Sequence, residues 1–281
     1  MSAENALLTI VAEKIKNDSL VLPTLPELAI RIRNTAEQED VNLHQLADVI
    51  SQDPALATRM IKIANGALMG RAVRVTTLYQ AVTRIGLRQI KNISVSLVME
   101  QLFVSKNKLV QKKMQRNWNN TVHVTAAAMV VFKHYQNRTK NTDLNIDVLT
   151  LAGVIHNIGV LPIIKEAENH QEVFAEDRFL DHAIKMLSGR VGGSIMRAWD
   201  FGIEYTEVAE RWSDDRFDRA EISYIDFIRV AALYNDLLDY PGDKMDAYAD
   251  YLVKGVLPSV DFMESDQFKE EYTNTVSVFL S

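Results

Sequence analysis

The stretch Leu151-Ala152-Gly153-Val154-Ile155-His156-Asn157-Ile158-Gly159-Val160-Leu161-Pro162 decides how this chain is read. His156 and Asn157 interrupt a run that is otherwise apolar or glycine. A polar group placed in apolar surroundings costs on the order of 1–3 kcal/mol unless it is hydrogen-bonded or bound to something. Two readings follow. In the structural one both side chains are buried and satisfied by neighbours. In the functional one they line a polar pocket or a mononuclear metal site. Gly159 and Pro162 are expected to end the helix that carries the pair.

Outward from that stretch, composition sets bounds. The 281 residues are 47% hydrophobic, enough for one large domain or two packed subdomains. There is no cysteine, which excludes disulfides and thiolate metal sites and fits a reducing cytoplasm. No apolar run is expected to approach the length of a membrane span, and Met1-Ser2-Ala3-Glu4-Asn5 lacks the basic start of a signal peptide. The formal charge of −6 hides an asymmetry. Residues 54–120 hold twelve Lys or Arg against a single acid, Glu100, whereas both flanks are acidic. Such a contrast points either to an anionic partner or to two halves that attract each other.

The apolar periodicity is helical throughout, so the fold class expected is all-α. Ala6, Leu7, Ile10 and Val11 mark a first amphipathic helix, which the prolines of Leu22-Pro23-Thr24-Leu25-Pro26 cannot continue. A second helix starts at Glu27. Asn42-Leu43-His44-Gln45 and Thr77-Leu78-Tyr79-Gln80 have the spacing of capping boxes. Asp53-Pro54 pairs an N-cap carboxylate with proline at the first helical position, and Asn65-Gly66 ends that helix. Gly86 separates a short helix from a longer one. Polar residues 106–120 are a subdomain junction that opens a long helix, followed by His123 before a small-residue face; Asn145 is placed to cap the helix carrying His156.

Leu22-Pro23-Thr24-Leu25-Pro26, Asp53-Pro54-Ala55-Leu56, Ile63-Ala64-Asn65-Gly66 and Ala81-Val82-Thr83-Arg84-Ile85-Gly86 resemble, in order, the landmarks of the HDOD domain, the degenerate branch of the HD phosphohydrolase superfamily. Asp181-His182, Gly192-Gly193 and Trp199 resemble its second half, although the first two stand further apart than the family usually has them. The resemblance covers roughly residues 20–235. It implies an N-terminal helical subdomain, 1–107, packed on a degenerate HD-like subdomain, 108–281, with a C-terminal extension that matches nothing in the family. It also implies that His123, His156 and Asn157 are remnants of a metal site. HD enzymes carry an aspartate where Asn157 stands, and a second one after a Val-Ala pair, where this chain has Ala232. Two-metal hydrolysis needs those carboxylates. Their loss implies no metal, no cofactor and no catalysis, with His123 and His156 left as a hydrogen-bonded pair. Asp236, about one turn beyond Ala232, is the candidate that could restore a ligand.

The function this implies is that of a bacterial cytoplasmic signal-transduction protein that acts by binding a protein or a ligand. The alternatives are a metal-dependent phosphohydrolase and a nucleic-acid-binding regulator. The latter has no zinc module, aromatic RNA-binding signature or clear helix-turn-helix behind it, and a pI near 5.6 against it. Arg71, Arg74, Arg84, Arg88 and Lys91 form a candidate face for an anionic partner. The competing use for these cations is pairing with Glu204, Glu207, Glu210, Asp214 and Asp215 of the acidic half.

Overall fold

The computed structural model describes residues 3–66, 73–140, 143–170, 177–214, 216–240 and 242–280, and among them every regular element is a helix. Helices α1 (Ala3–Lys16), α2 (Glu27–Ala36), α3 (Leu43–Ser51), α4 (Pro54–Asn65), α5 (Leu78–Ile85) and α6 (Leu87–Val98) precede the long α7 (Lys108–Thr139). Then come α8 (Ile146–Ile155), α9 (Val160–Ala167), α10 (Asp177–Ala198), α11 (Ile203–Arg211), α12 (Tyr224–Tyr234), α13 (Lys244–Val253) and α14 (Asp266–Phe279).

Local chemistry fixes the N-terminal boundaries. Asn42 accepts from the His44 and Gln45 amides while the Gln45 side chain accepts from the Asn42 amide, so the capping box is closed. Thr77 and Gln80 do the same for α5. Asp53 Oδ1 takes the Ala55 and Leu56 amides, with Pro54 at the first helical position. Each cap is worth about 1 kcal/mol. Asn65 also reaches across the chain, donating to the Val75 carbonyl at 2.8 Å and accepting from its amide at 2.9 Å. Gly86 links α5 to α6 at φ 89°, a left-handed conformation that side chains disfavour. Asn145 stands at the N-cap of α8, but its side chain makes no cap bond; its amide donates to the Tyr224 hydroxyl at 3.0 Å instead.

The 32-residue α7, about 48 Å long at 1.5 Å per residue, is the spine. It buries Trp118, Val122 and Ala126 to Phe132 against α8, α9, α12 and α14. α2 packs on α6, and α6 packs on α8. The chain's first helix, α1, packs on α10, and Lys14 pairs with Glu166 of α9 at 2.6 Å. The proline segment is held from the far half: Trp199 Nε1 donates to the Pro23 carbonyl at 3.0 Å, and Arg33 donates to the Trp199 carbonyl at 2.8 Å.

Two expectations need correction. Residues Ile146–Ala167 do reach membrane-spanning length by hydropathy, but 83% of that window is buried within the protein, as the consecutive core helices α8 and α9. Gly159 and Pro162 do not end the helix of His156, because α8 already stops at Ile155. Pro162 sits in the first turn of α9, where a missing amide hydrogen costs nothing. Gly159 is required by proximity: a Cβ there would lie 1.9 Å from the Ser188 carbonyl oxygen and 2.6 Å from the Gly192 nitrogen of α10.

Candidate functional site

That close approach sets His156 in place. The residue caps α8, is 2% exposed, and its Nδ1 lies 2.5 Å from the Gly153 carbonyl. A carbonyl only accepts, so Nδ1 carries the proton and Nε2 carries the lone pair. The Trp212 ring meets the imidazole edge to face at 4.7 Å. Burial drives its pKa down to about 4, only partly opposed by the Gly153 carbonyl, so the ring is neutral at physiological pH. Asn157 Nδ2 donates to Asn117 Oδ1 of α7 at 2.9 Å. Asn157 Oδ1, Asn117 Nδ2 and Trp212 Nε1 are buried with no hydrogen-bond partner. The polar pair is therefore only partly satisfied.

His156, Asn157, Asn117, Asn120 and Trp212 all line one cleft of about 1300 Å³ between α7, α10 and the loop after α11. Seven cationic and five anionic side chains surround it. Several are paired: Arg197 with Glu210 at 3.0 Å, Lys185 with Asp239 at 2.8 Å, and Asp214 with both Arg211 and Arg216. Arg229 holds the loop from below. Its buried guanidinium donates to the carbonyls of Arg211, Trp212, Asp214 and Phe217, which fixes Trp212 against His156.

The donors around this cleft do not fit a two-metal centre. Asn157 offers only a neutral amide oxygen where a bridging carboxylate would be needed, its nitrogen being bonded to Asn117. Ala232 is fully buried in α12 and brings no ligand atom. Asp236 lies on the cleft's edge with φ 56°, its side chain 81% exposed and paired with Lys244 at 2.5 Å. His182 is exposed on α10. Among the described residues no three His, Asp or Glu side chains converge as a metal ion requires.

His123 does not join His156, and the expected histidine pair is corrected. Six residues along α7 turn it about 120° from Asn117, and it faces α14. Tyr272 donates to Asn235 Oδ1 at 2.9 Å, and the Asn235 amide nitrogen is fixed by the Ala231 carbonyl at 2.8 Å. The hydroxyl proton is thus committed. His123 Nδ1, 2.5 Å from that hydroxyl, must be the donor to it. Burial lowers the His123 pKa. The chain of bonds fastens the C-terminal extension to the spine, aided by the ion pair of Lys133 with Glu271 at 2.9 Å.

The expected basic face is largely committed elsewhere. Arg71 lies outside the described residues, as does the side chain of Arg88. Arg84 donates to the Ala64 and Val73 carbonyls, and Lys91 pairs with Glu37 at 3.0 Å. Arg74 is exposed. Arg84 and Lys91 therefore form their bonds within the N-terminal half, with Lys91 and Glu204 only lining a common pocket: Glu207 takes Arg219, Glu210 takes Arg197, and Asp214 takes Arg211 and Arg216, while Asp215 is outside the described residues. Neighbouring charges were the nearer partners on both sides. Asn117, Trp212, Arg229 and Tyr272 are the site and support residues that sequence reasoning missed.

A helical domain with a histidine–asparagine turn at the floor of a polar cleft defines the class, a relative of the HD fold without its carboxylates. The chain belongs to the HDOD domain family, whose model matches residues 22–214. It is similar over its whole length to a Shewanella amazonensis SB2B protein provisionally described as a metal-dependent phosphohydrolase, with 41% identity, a TM-score of 0.93, and coverage of 99% of this chain and 100% of that one. The C-terminal helices are therefore shared with that relative. An HDOD domain protein of unknown function from Geobacter sulfurreducens has the same fold, at 19% identity and TM-score 0.65 with 99% of each chain covered. An uncharacterised protein of Treponema pallidum (strain Nichols) is 25% identical over 68% of this chain and 35% of its own, so the match spans about a third of that relative.

Proposed function

We propose that the protein is a bacterial cytoplasmic regulatory protein of signal transduction that acts by binding and hydrolyses nothing. The observation that carries this reading is the side chain of Asn157 itself: the amide standing where HD enzymes carry an aspartate is neutral, and its nitrogen, donating to Asn117, faces the cleft's polar wall as a donor rather than a ligand. A neutral amide cannot bridge two cations, and Ala232 supplies no second charge. Regulation then works through a partner that binds one arrangement of the helices better than another. The α6–α8 contact and the Trp199–Pro23 latch join the two halves and are the elements such a partner would bias.

The description of the Shewanella relative favours a second reading, metal-dependent phosphohydrolysis. The two are separated by assaying bis-p-nitrophenyl phosphate and nucleoside phosphates with Mn²⁺, Mg²⁺ or Fe²⁺ supplied. No turnover above buffer is expected. Metal-dependent turnover that disappears in His156→Ala would make the protein an enzyme.

A further inference from the structure

Residues 106–120 contributed Asn117 to the cleft, but their cations have no use in it beyond Lys113 and Arg116. Lys108, Lys112 and Arg116 stand at four-residue spacing on α7 and form one stripe of its surface. With Gln111, Gln115, Asn120 and His123 they line a shallow groove of about 600 Å³ that has no acidic side chain in its walls. None of the three cations has an ion-pair partner among the described residues, in a chain whose net charge is −6. Leu109, 63% exposed, lies three residues before Lys112 and seven before Arg116, which puts it on the flank of the stripe. Val104, 66% exposed, lies just before the helix.

We propose that this groove docks an acidic amphipathic helix of a partner protein, its carboxylates along Lys108, Lys112 and Arg116 and its apolar edge on Leu109. The stripe from Lys108 to His123 is about 22 Å long, the reach of about four helical turns, so acids at i and i+4 on a partner helix fall in register with cations at i and i+4 here. Amide side chains between the cations supply donors for carboxylate oxygens. A nucleic acid is the less suitable occupant, because no Phe, Tyr or Trp lines the groove for a base to stack on and the one ring there, His123, is held against Tyr272. Arg116 and Asn120 line both this groove and the His156 cleft, so an occupant of the groove touches the rim of the cleft. The inference rests on the binding reading above and says what kind of partner that reading requires.

The test uses the full chain and a fluorescein-labelled synthetic helix of about 15 residues, with Glu at i, i+4 and Leu on one edge. A peptide with Lys replacing Glu and a single-stranded oligonucleotide serve as comparisons, all near physiological ionic strength. Saturable binding of the acidic helix is expected, weakening as salt rises. Lys108→Glu, Lys112→Glu and Arg116→Glu combined should weaken it at least about tenfold, as the loss of three exposed ion pairs implies. Charge reversal of Arg74 should leave it unchanged. If the triple variant melts lower than the parent, Lys112→Glu alone carries the comparison, with a smaller loss expected. The proposal is overturned if the acidic helix does not bind, if the Lys peptide binds as well, if the reversed variants bind like the parent, or if the oligonucleotide binds more tightly. Hydrolytic activity would overturn the regulatory reading without altering these binding results, so the two failures are distinguishable.

Discussion

Replacing His156 with Gln removes a titrating ring while leaving an amide able to donate toward the Gly153 carbonyl. The ring's pKa is about 4 in the folded protein against 6.5 for an unperturbed histidine. A base whose folded pKa is depressed is protonated first in the unfolded chain, so acid favours unfolding. The stabilising contribution is complete above the unfolded pKa of 6.5 and is lost as the pH falls from there toward 4. From about pH 7.5 to about pH 5 the unfolded chain gains nearly one proton at this site and the native state almost none, which is worth about 2 kcal/mol. Urea unfolding of parent and His156→Gln at both pH values isolates the effect, since carboxylates titrate alike in the two proteins. The variant should be less stable at neutral pH, through lost packing on Trp212. The gap should then shrink by about 2 kcal/mol in acid. A gap that does not change with pH would refute the burial of a neutral imidazole.

Three further changes probe the supports of the site. Arg229→Met orphans the carbonyls of Arg211, Trp212, Asp214 and Phe217 and should cost about 3 kcal/mol, with faster amide exchange in the loop carrying Trp212; unchanged exchange would count against Arg229 as its anchor. Gly159→Ala forces a methyl group onto backbone atoms of α10 that cannot move aside, so a loss of at least about 3 kcal/mol is expected in thermal unfolding. Tyr272→Phe removes the hydroxyl between His123 and Asn235 and should lower stability by about 1–2 kcal/mol in urea unfolding, and no loss would mean the link is idle.

The caps at Asn42, Asp53 and Thr77 and the break at Gly86 were legible because each is decided within four residues of chain. The burial of His156 followed from its apolar neighbours. Its surroundings did not. Asn117 lies 40 residues away from Asn157 in a mostly polar stretch; Val110, Met114 and Trp118 trace its buried face by their four-residue spacing, but nothing local tells which distant side chain an asparagine beside that face will meet. Gly159 looked like a helix stop because a close interhelical contact and a chain end call for the same residue. His123 drew attention as a histidine before a small-residue helix face, but helical phase, not residue type, decides which way it points. The C-terminal extension was opaque for a related reason: Tyr234, Phe262, Phe268 and Tyr272 form their ring cluster only when α12 and α14 meet.

The central claim is that this cleft has lost the donors of a metal centre. Elemental analysis of the purified protein, after incubation with Mn²⁺, Fe²⁺ or Zn²⁺ and removal of unbound ions by gel filtration, tests it most directly. No stoichiometric metal should remain, in the parent or in His156→Ala. Stoichiometric retention by the parent that is lost on His156→Ala would contradict it.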